Sequence, residues 1–229
     1  MIVVVASSKG GVGKSTVAAH LAAWLAEQGR SVVLADCDTQ ASSSGWVREA
    51  APAVRVVRLE GPNEILDTLP HLAREADYVV ADGPGSNTEV TRALFMWADL
   101  AVVPCKASML EARALAQATA ALRQTREIRR AKPPAVAVLS MVGKNYRLTQ
   151  DMRDAAAALG LPLAATALTL RQVYADAPGQ GAVVWHMGAR GRDAGAEIRA
   201  LFAELLPTAV ARRGRRLAPT TPHPQTKGD

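Results

Sequence analysis

Two lysines five residues apart frame a run of glycines: Lys9-Gly10-Gly11-Val12-Gly13-Lys14-Ser15-Thr16. Glycine lets backbone approach a ligand where a Cβ would block it, and successive N–H groups turned inward make an anion nest. The helix that such a loop opens adds the positive end of its dipole. With this spacing Gly10, Gly11, Val12 and Gly13 wrap a phosphate chain. Lys14 bridges the β- and γ-phosphates, the Ser15 hydroxyl holds Mg²⁺, and Thr16 meets the α-phosphate. The usual pattern is G-x-x-x-x-G-K-[ST]. Here its first position is Ser8, and a second lysine, Lys9, stands inside the loop.

Acidic residues follow two further apolar runs. In Ala35-Asp36-Cys37-Asp38-Thr39-Gln40 the carboxylates lie two apart, so they share one face if the strand continues through them. At the carboxyl end of a parallel strand they can orient Mg²⁺-bound or attacking water, or they can cap the next helix. Tyr78-Val79-Val80-Ala81-Asp82 ends a second run, and Asp82 suits a water on Mg²⁺. Gly83-Pro84-Gly85 after it is a turn suited to moving when a γ-phosphate leaves.

These side chains need a scaffold that brings strand ends together. Short, nearly continuous apolar runs at 2–6, 31–35, 54–58, 78–81, 100–103, 135–139 and 163–166 read as strands covered on both faces. Helical patterns at 15–28, 88–97, 110–130, 149–159 and 194–206 alternate with them, the first stopped by Gly29. The expectation is an α/β fold of the P-loop NTPase kind. It is a single domain over 1–207 with a mostly parallel twisted sheet and helices on both faces, and 208–229 is a basic, Pro/Thr-rich flexible tail. At 49% hydrophobic and 21% charged, the 229 residues are too apolar for general disorder, and no run is long enough for a transmembrane helix. Two cysteines, Cys37 and Cys105, exclude a disulfide framework and point to a reducing cytoplasm. The +6 charge is uneven: residues 1–110 carry a net −3 and 111–229 a net +9. A polyanion facing the second half is the reading of that asymmetry.

The pattern K-G-G-x-G-K-[ST] resembles the deviant Walker A ATPases of the ParA/MinD type. The segment from Asp36 looks like their D-x-D-P-Q motif with Thr39 in place of the proline. Trp46 and Ala98-Asp99-Leu100-Ala101-Val102-Val103-Pro104 extend the likeness, although Lys106-Ala107 replaces the usual residues before Ser108. The nearest resemblance is to the short ParF-like partition proteins, which lack an N-terminal helix-turn-helix domain, and the position of the loop leaves no room for one here. The resemblance implies ATP and Mg²⁺, weak ATP hydrolysis and an ATP-dependent homodimer in which Lys9 reaches the partner's phosphates. It implies Asp38 as the water-orienting residue, Asp36 as a supporting acid near the metal, and catalytic roles for Lys9, Lys14 and Asp38. Ser15, Asp36, Asp38 and Asp82 make up the metal set. Leu170-Arg171-Gln172-Val173-Tyr174 looks like the segment beside the adenine, with Arg171 a base-side contact. The implied partners are non-specific double-stranded DNA and a small centromere-binding ParB/ParG-like adaptor, in a cytoplasmic, nucleoid-associated setting. Alternatives within the same core are a MinD-like membrane switch and an ATPase that positions a protein cluster.

Arg123, Arg126 and Arg130 fall on one helical stripe, with Arg129 and Lys132 nearby, a pattern able to neutralise DNA phosphates or simply to face water. Arg190, Arg192 and Arg199, and Arg212-Arg213-Gly214-Arg215-Arg216, are further candidates. The terminal segment has almost no large apolar residues, which argues against an amphipathic membrane helix. His20, His71, His186 and His223 have no metal-ligand spacing, and Trp24 and Trp97 read as core.

Overall fold

Six short strands, five of them apolar and buried and the edge strand of Arg55–Arg58 partly exposed, form one parallel sheet in this computed structural model, which describes residues 1–85, 88–106, 108–130, 133–143 and 146–210. In chain order the elements are β1 (Ile2–Val5), α1 (Lys14–Glu27), β2 (Val32–Asp36), α2 (Ser42–Ala50), β3 (Arg55–Arg58), α3 (Pro62–Glu75), β4 (Tyr78–Asp82), α4 (Thr88–Trp97) and β5 (Leu100–Lys106). They continue with α5 (Met109–Ile128), β6 (Ala135–Ser140), α6 (Tyr146–Ala158), α7 (Gln172–Gly179), a 3-10 turn (Val184–His186), α8 (Gly188–Leu205) and α9 (Pro207–Val210). The sheet order is β3-β2-β4-β1-β5-β6, with every pairing parallel.

Alternation along each strand divides the core into two layers. Val3, Val5, Val80 and Val102 face one side with Val17, Leu21, Trp24 and Leu25 of α1 and Ile198, Leu201 and Phe202 of α8. Val4, Val79, Ala81 and Val103 face the other with Ile65 and Leu69 of α3, Leu94 and Phe95 of α4, and Leu115 of α5. Ten of the fourteen α1 residues are buried, as expected for a helix that is apolar nearly all round. It ends at Gly29, φ 76°, where Gly29 N and Arg30 N return to Ala26 O and Leu25 O.

Two sequence expectations need correction, and one conditional reading is decided. Residues 163–166 do not form a seventh strand: Ala137 and Leu163 make an isolated parallel bridge. Pro162 has no N–H for the ladder, and the Ala165 and Thr166 N–H groups donate to the Glu204 carboxylate of α8 at 2.7 and 3.0 Å. Trp97 is 38% exposed, on the rim rather than in the core, its indole donating to Leu66 O. Strand β2 stops at Asp36, so Asp36 and Asp38 do not continue along one strand face. The helix α9 extends the described fold over Pro207–Val210, with Ala209 buried and Arg30 donating to Thr208 O and Ala209 O.

Candidate functional site

The register fixes where the acids lie. Val5 pairs with Asp82, and Asp82 pairs with Asp36, so the last residue of β1 and both strand-ending aspartates stand side by side at the carboxyl edge of the sheet. The loop Lys9–Gly13 leaves β1 at this edge. Gly11 and Gly13 have φ of 70° and 88°, a region closed to most side chains, and α1 begins at Lys14 directly after them. Val12, fully buried, pins the loop: its carbonyl accepts from Ser140 Oγ at 2.6 Å. Ser8 Oγ anchors the loop entry on Ala114 O at 2.6 Å. Lys14 is buried, and its ammonium donates to the Lys9 carbonyl at 3.0 Å. Lys9 is half-buried.

A cleft of about 860 Å³ opens above the loop. Gly10, Gly11, Gly13, Lys14, Ser15 and Thr16 form its floor, and Asp38, Thr39, Gln40 and Trp46 one wall. Pro84 and Gly85 close another side. A Cβ on Gly85 would lie 2.8 Å from Gly10 Cα and 3.3 Å from Lys14 Nζ, so the turn after β4 touches the phosphate loop. A smaller, apolar cavity of about 140 Å³ continues from Gly13 and Thr16 to Met141, Leu168, Leu170, Arg171 and Tyr174.

The three aspartates differ in what they hold. Asp36 is buried and fully engaged: Oδ2 accepts from Ser44 N at 2.9 Å and Ser44 Oγ at 2.6 Å, and Oδ1 from Asp38 N at 3.2 Å. It fastens the start of α2 and the loop before it. Asp38 is half-buried on the cleft wall and accepts from Gln40 N at 3.1 Å. Asp82 is fully buried, yet neither carboxylate oxygen has a hydrogen bond of good geometry among the described residues. Burial pushes its pKa up to about 7, while the nearby Ser15 and Ser43 hydroxyls and the Lys14 charge oppose the rise. Ser43 Oγ is also buried without a hydrogen bond of good geometry among the described residues. A buried carboxylate and hydroxyl with lone pairs to spare, beside Ser15, fit a hard divalent cation completed by phosphate oxygens and water. Among the described residues no three acidic, histidine or cysteine side chains cluster as a self-contained metal cage. Cys37 is buried, and desolvation first, then Asp82 and Asp36, push its thiol pKa upward.

Arg171 is not turned over entirely to the apolar cavity that it lines. It pairs with Glu197 at 3.0 Å and Asp193 at 3.5 Å. The basic stripe is likewise partly committed. Arg129 donates to Phe95 O and Ala98 O at 3.3 and 2.6 Å, closing the end of α4, and Arg126 donates to Pro133 O at 3.0 Å. Arg123 and Arg130 are exposed. Arg190 pairs with Asp176, and Arg199 with Glu27, while Arg192 is exposed. Lys132 and Arg212 to Arg216 lie outside the described residues.

Sequence reasoning passed over three side chains that the structure brings to this site: Ser43, Ser140 and His20. The run Ser42-Ser43-Ser44 just after the paired aspartates was a usable signal for the first. Nothing local marks Ser140, which reaches Val12 across 128 positions.

Comparison with known proteins places this geometry. Residues 3–184 match the family described as the CobQ/CobB/MinD/ParA nucleotide binding domain. Over 209 residues the chain is 31% identical to the maintenance of carboxysome distribution protein A of Halothiobacillus neapolitanus, covering 89% of this chain and 95% of that protein. Among solved structures, an aspartate-to-alanine variant of McdA from Cyanothece in complex with ATP superposes with a TM-score of 0.73 at 18% identity, over 90% of this chain and 96% of that one. MinD from Pyrococcus horikoshii with Mg-ADP gives 0.71 at 19% identity, over 92% and 98%.

Proposed function

We propose a function for this chain from the premise that it belongs to the CobQ/CobB/MinD/ParA family of nucleotide-binding proteins: it is an ATPase that positions a cargo. One observation carries the ATPase reading. A glycine loop with a buried lysine floors a cleft large enough for a nucleotide, and beside its Ser15 and Lys14 lies the buried carboxylate of Asp82, which has no well-formed hydrogen bond among the described residues. Gly10 to Gly13 cradle the phosphates with their N–H groups, Lys14 turns from the Lys9 carbonyl to the β- and γ-phosphates, and Thr16 meets the α-phosphate. Ser15 and Asp82 hold Mg²⁺, with Asp36 keeping α2 in place beside them. When bound, the ion neutralises charge building on the phosphates. Asp38, on the cleft wall, orients the attacking water. The base rests in the apolar cavity against Leu168, Leu170 and Tyr174, with Arg171 at its edge.

Lys9 from each of two copies reaches the partner's phosphates, so ATP occupancy decides whether the copies pair. The pair binds double-stranded DNA without sequence preference through exposed arginines such as Arg123 and Arg130, and a small adaptor on the cargo stimulates hydrolysis and release. The likeness to a carboxysome-distribution protein over nearly its whole length favours a large protein assembly as cargo over a plasmid. Light scattering and gel shifts on random duplex DNA, each with ATP, with ADP and with Lys9→Ala, test the reading. Dimers and DNA shifts that need ATP and Lys9 support it; dimerisation of Lys9→Ala with ATP equal to wild type removes the shared-phosphate role. Among the described residues no helix is long and apolar enough to cross a membrane. ATP-dependent flotation with liposomes, without a DNA shift, would move the assignment to a membrane switch.

A further inference from the structure

His20 is buried completely, on the P-loop helix, and takes no part in the chemistry above. Its Nδ1 lies 2.7 Å from Thr16 O, and a carbonyl only accepts, so Nδ1 carries the proton. Nε2 is then the acceptor for Val184 N–H at 3.1 Å. The neutral imidazole therefore bridges Thr16, in the first turn of α1 that follows the phosphate loop, to the 3-10 turn 164 positions beyond His20.

Three aromatic rings meet this imidazole edge-on: Trp46, Tyr174 and Trp185, at centroid distances of 5.1, 5.8 and 5.4 Å. Trp46 lines the large cleft, and its indole donates to Ala182 O at 2.8 Å. Tyr174 lines the apolar cavity, and its hydroxyl donates to Ala194 O of α8 at 3.0 Å. Thr16 lines both cavities. The turn is held where His20 can reach it by α8. A Cβ on Gly191 would fall 1.7 Å from Val184 O, so only glycine lets the backbone dock this closely.

We propose that His20 is a positioning residue that joins the phosphate side of the nucleotide cleft to its base side. It fixes Thr16 through one ring nitrogen, and Val184 with the Tyr174 wall through the other nitrogen and the ring edge. The inference rests on the nucleotide reading of the cleft. Phosphates that order the first turn of α1 thereby order the wall that receives the base.

Two ligands separate the sides: MgATP, which fills both, and magnesium tripolyphosphate, which fills only the loop. In His20→Leu the advantage of ATP over tripolyphosphate falls about tenfold, the size of one lost buried hydrogen bond, and tripolyphosphate affinity is kept. His20→Gln, whose amide keeps a donor and an acceptor, recovers most of that advantage. Equal losses for both ligands, or no loss for ATP, overturn the proposal. A second measurement needs only the wild type. Magnesium tripolyphosphate slows hydrogen exchange across residues 182–186 if the joint exists, and unchanged exchange there overturns it. A wild-type protein that binds tripolyphosphate but not ATP, or neither ligand, overturns the nucleotide reading first and the joint with it.

Discussion

Asp82 and Glu197 are both carboxylates behind the cleft lining, Asp82 beside Ser15 and Lys14 and Glu197 against Thr169 and Arg171, yet they live in opposite surroundings. Asp82 is fully buried at the end of β4, without a well-formed hydrogen bond among the described residues, and its pKa rises to about 7 through desolvation. Glu197 on α8 is part-buried and accepts from Thr169 N, Thr169 Oγ1 and Arg171 Nη2 at 3.1, 2.7 and 3.0 Å. Burial works against its charge, but Arg171 and Thr169 outweigh that and hold it below the usual carboxylate range. One acid is left wanting a cation; the other has already used its lone pairs to build a wall. A buried polar group costs least when fully bonded, so an unbonded one marks where a ligand completes the structure.

The contrast breaks most sharply at Asp82. Asp82→Asn should lower ATP turnover by roughly 100-fold or more, the usual scale for losing one electrostatic group. It should also raise the melting temperature of the nucleotide-free protein by removing a buried charge. Turnover assays and calorimetry on the same sample check both, and a destabilised variant would mean that Asp82 is structural.

His20 gives the next effect, through pH. Burial lowers its pKa to about 4 from 6.5, and the Thr16 bond opposes this only in part. The folded state resists a proton that the unfolded chain accepts. The stability is thus present above pH 6.5 and is lost as pH falls toward 4, by about 3 kcal/mol. His20→Gln should flatten that part of the stability profile in denaturant titrations at pH 7 and pH 4.5; identical profiles would refute the assignment. Glu197→Gln, which keeps the shape but loses charge, should cost roughly 1–2 kcal/mol of stability and weaken nucleotide binding. Turnover per bound nucleotide should hold. Equal loss of turnover would erase the distinction between wall and working acid.

The smallest effects separate two arginines of α5 and its end. Arg129 closes α4, so Arg129→Ala should cost about 1 kcal/mol in a melt. Arg123 is exposed, so Arg123→Ala should change stability by less than about 0.5 kcal/mol. On the proposed DNA role it should also reduce the salt slope of binding by about 1. An unchanged salt slope would remove Arg123 from the DNA contact.

How much of this was legible follows the range of the interactions. The phosphate loop, its two glycines with positive φ and the strand-ending Asp36 and Asp82 all follow from local spacing. Strand positions were readable because apolar runs covered on both faces leave no polar alternation. Residues 163–166 misled for a related reason: their apolar pattern is real, but Glu204, some 40 positions later, takes the N–H groups a strand would have used. His20 was invisible in the same way, since its partners Val184 and Trp185 lie far along the chain. The arginine stripe shows the limit of charge counting: the pattern is helical, but Arg126 and Arg129 are spent on backbone carbonyls.

The most direct measurement is the ATP affinity of wild type and Asp82→Asn, each with Mg²⁺ and with EDTA, by titration calorimetry. The account predicts that Mg²⁺ tightens binding to the wild type and adds little for the variant. An equal gain from Mg²⁺ in both proteins would contradict it, because the unbonded carboxylate would then have no part in holding the ion.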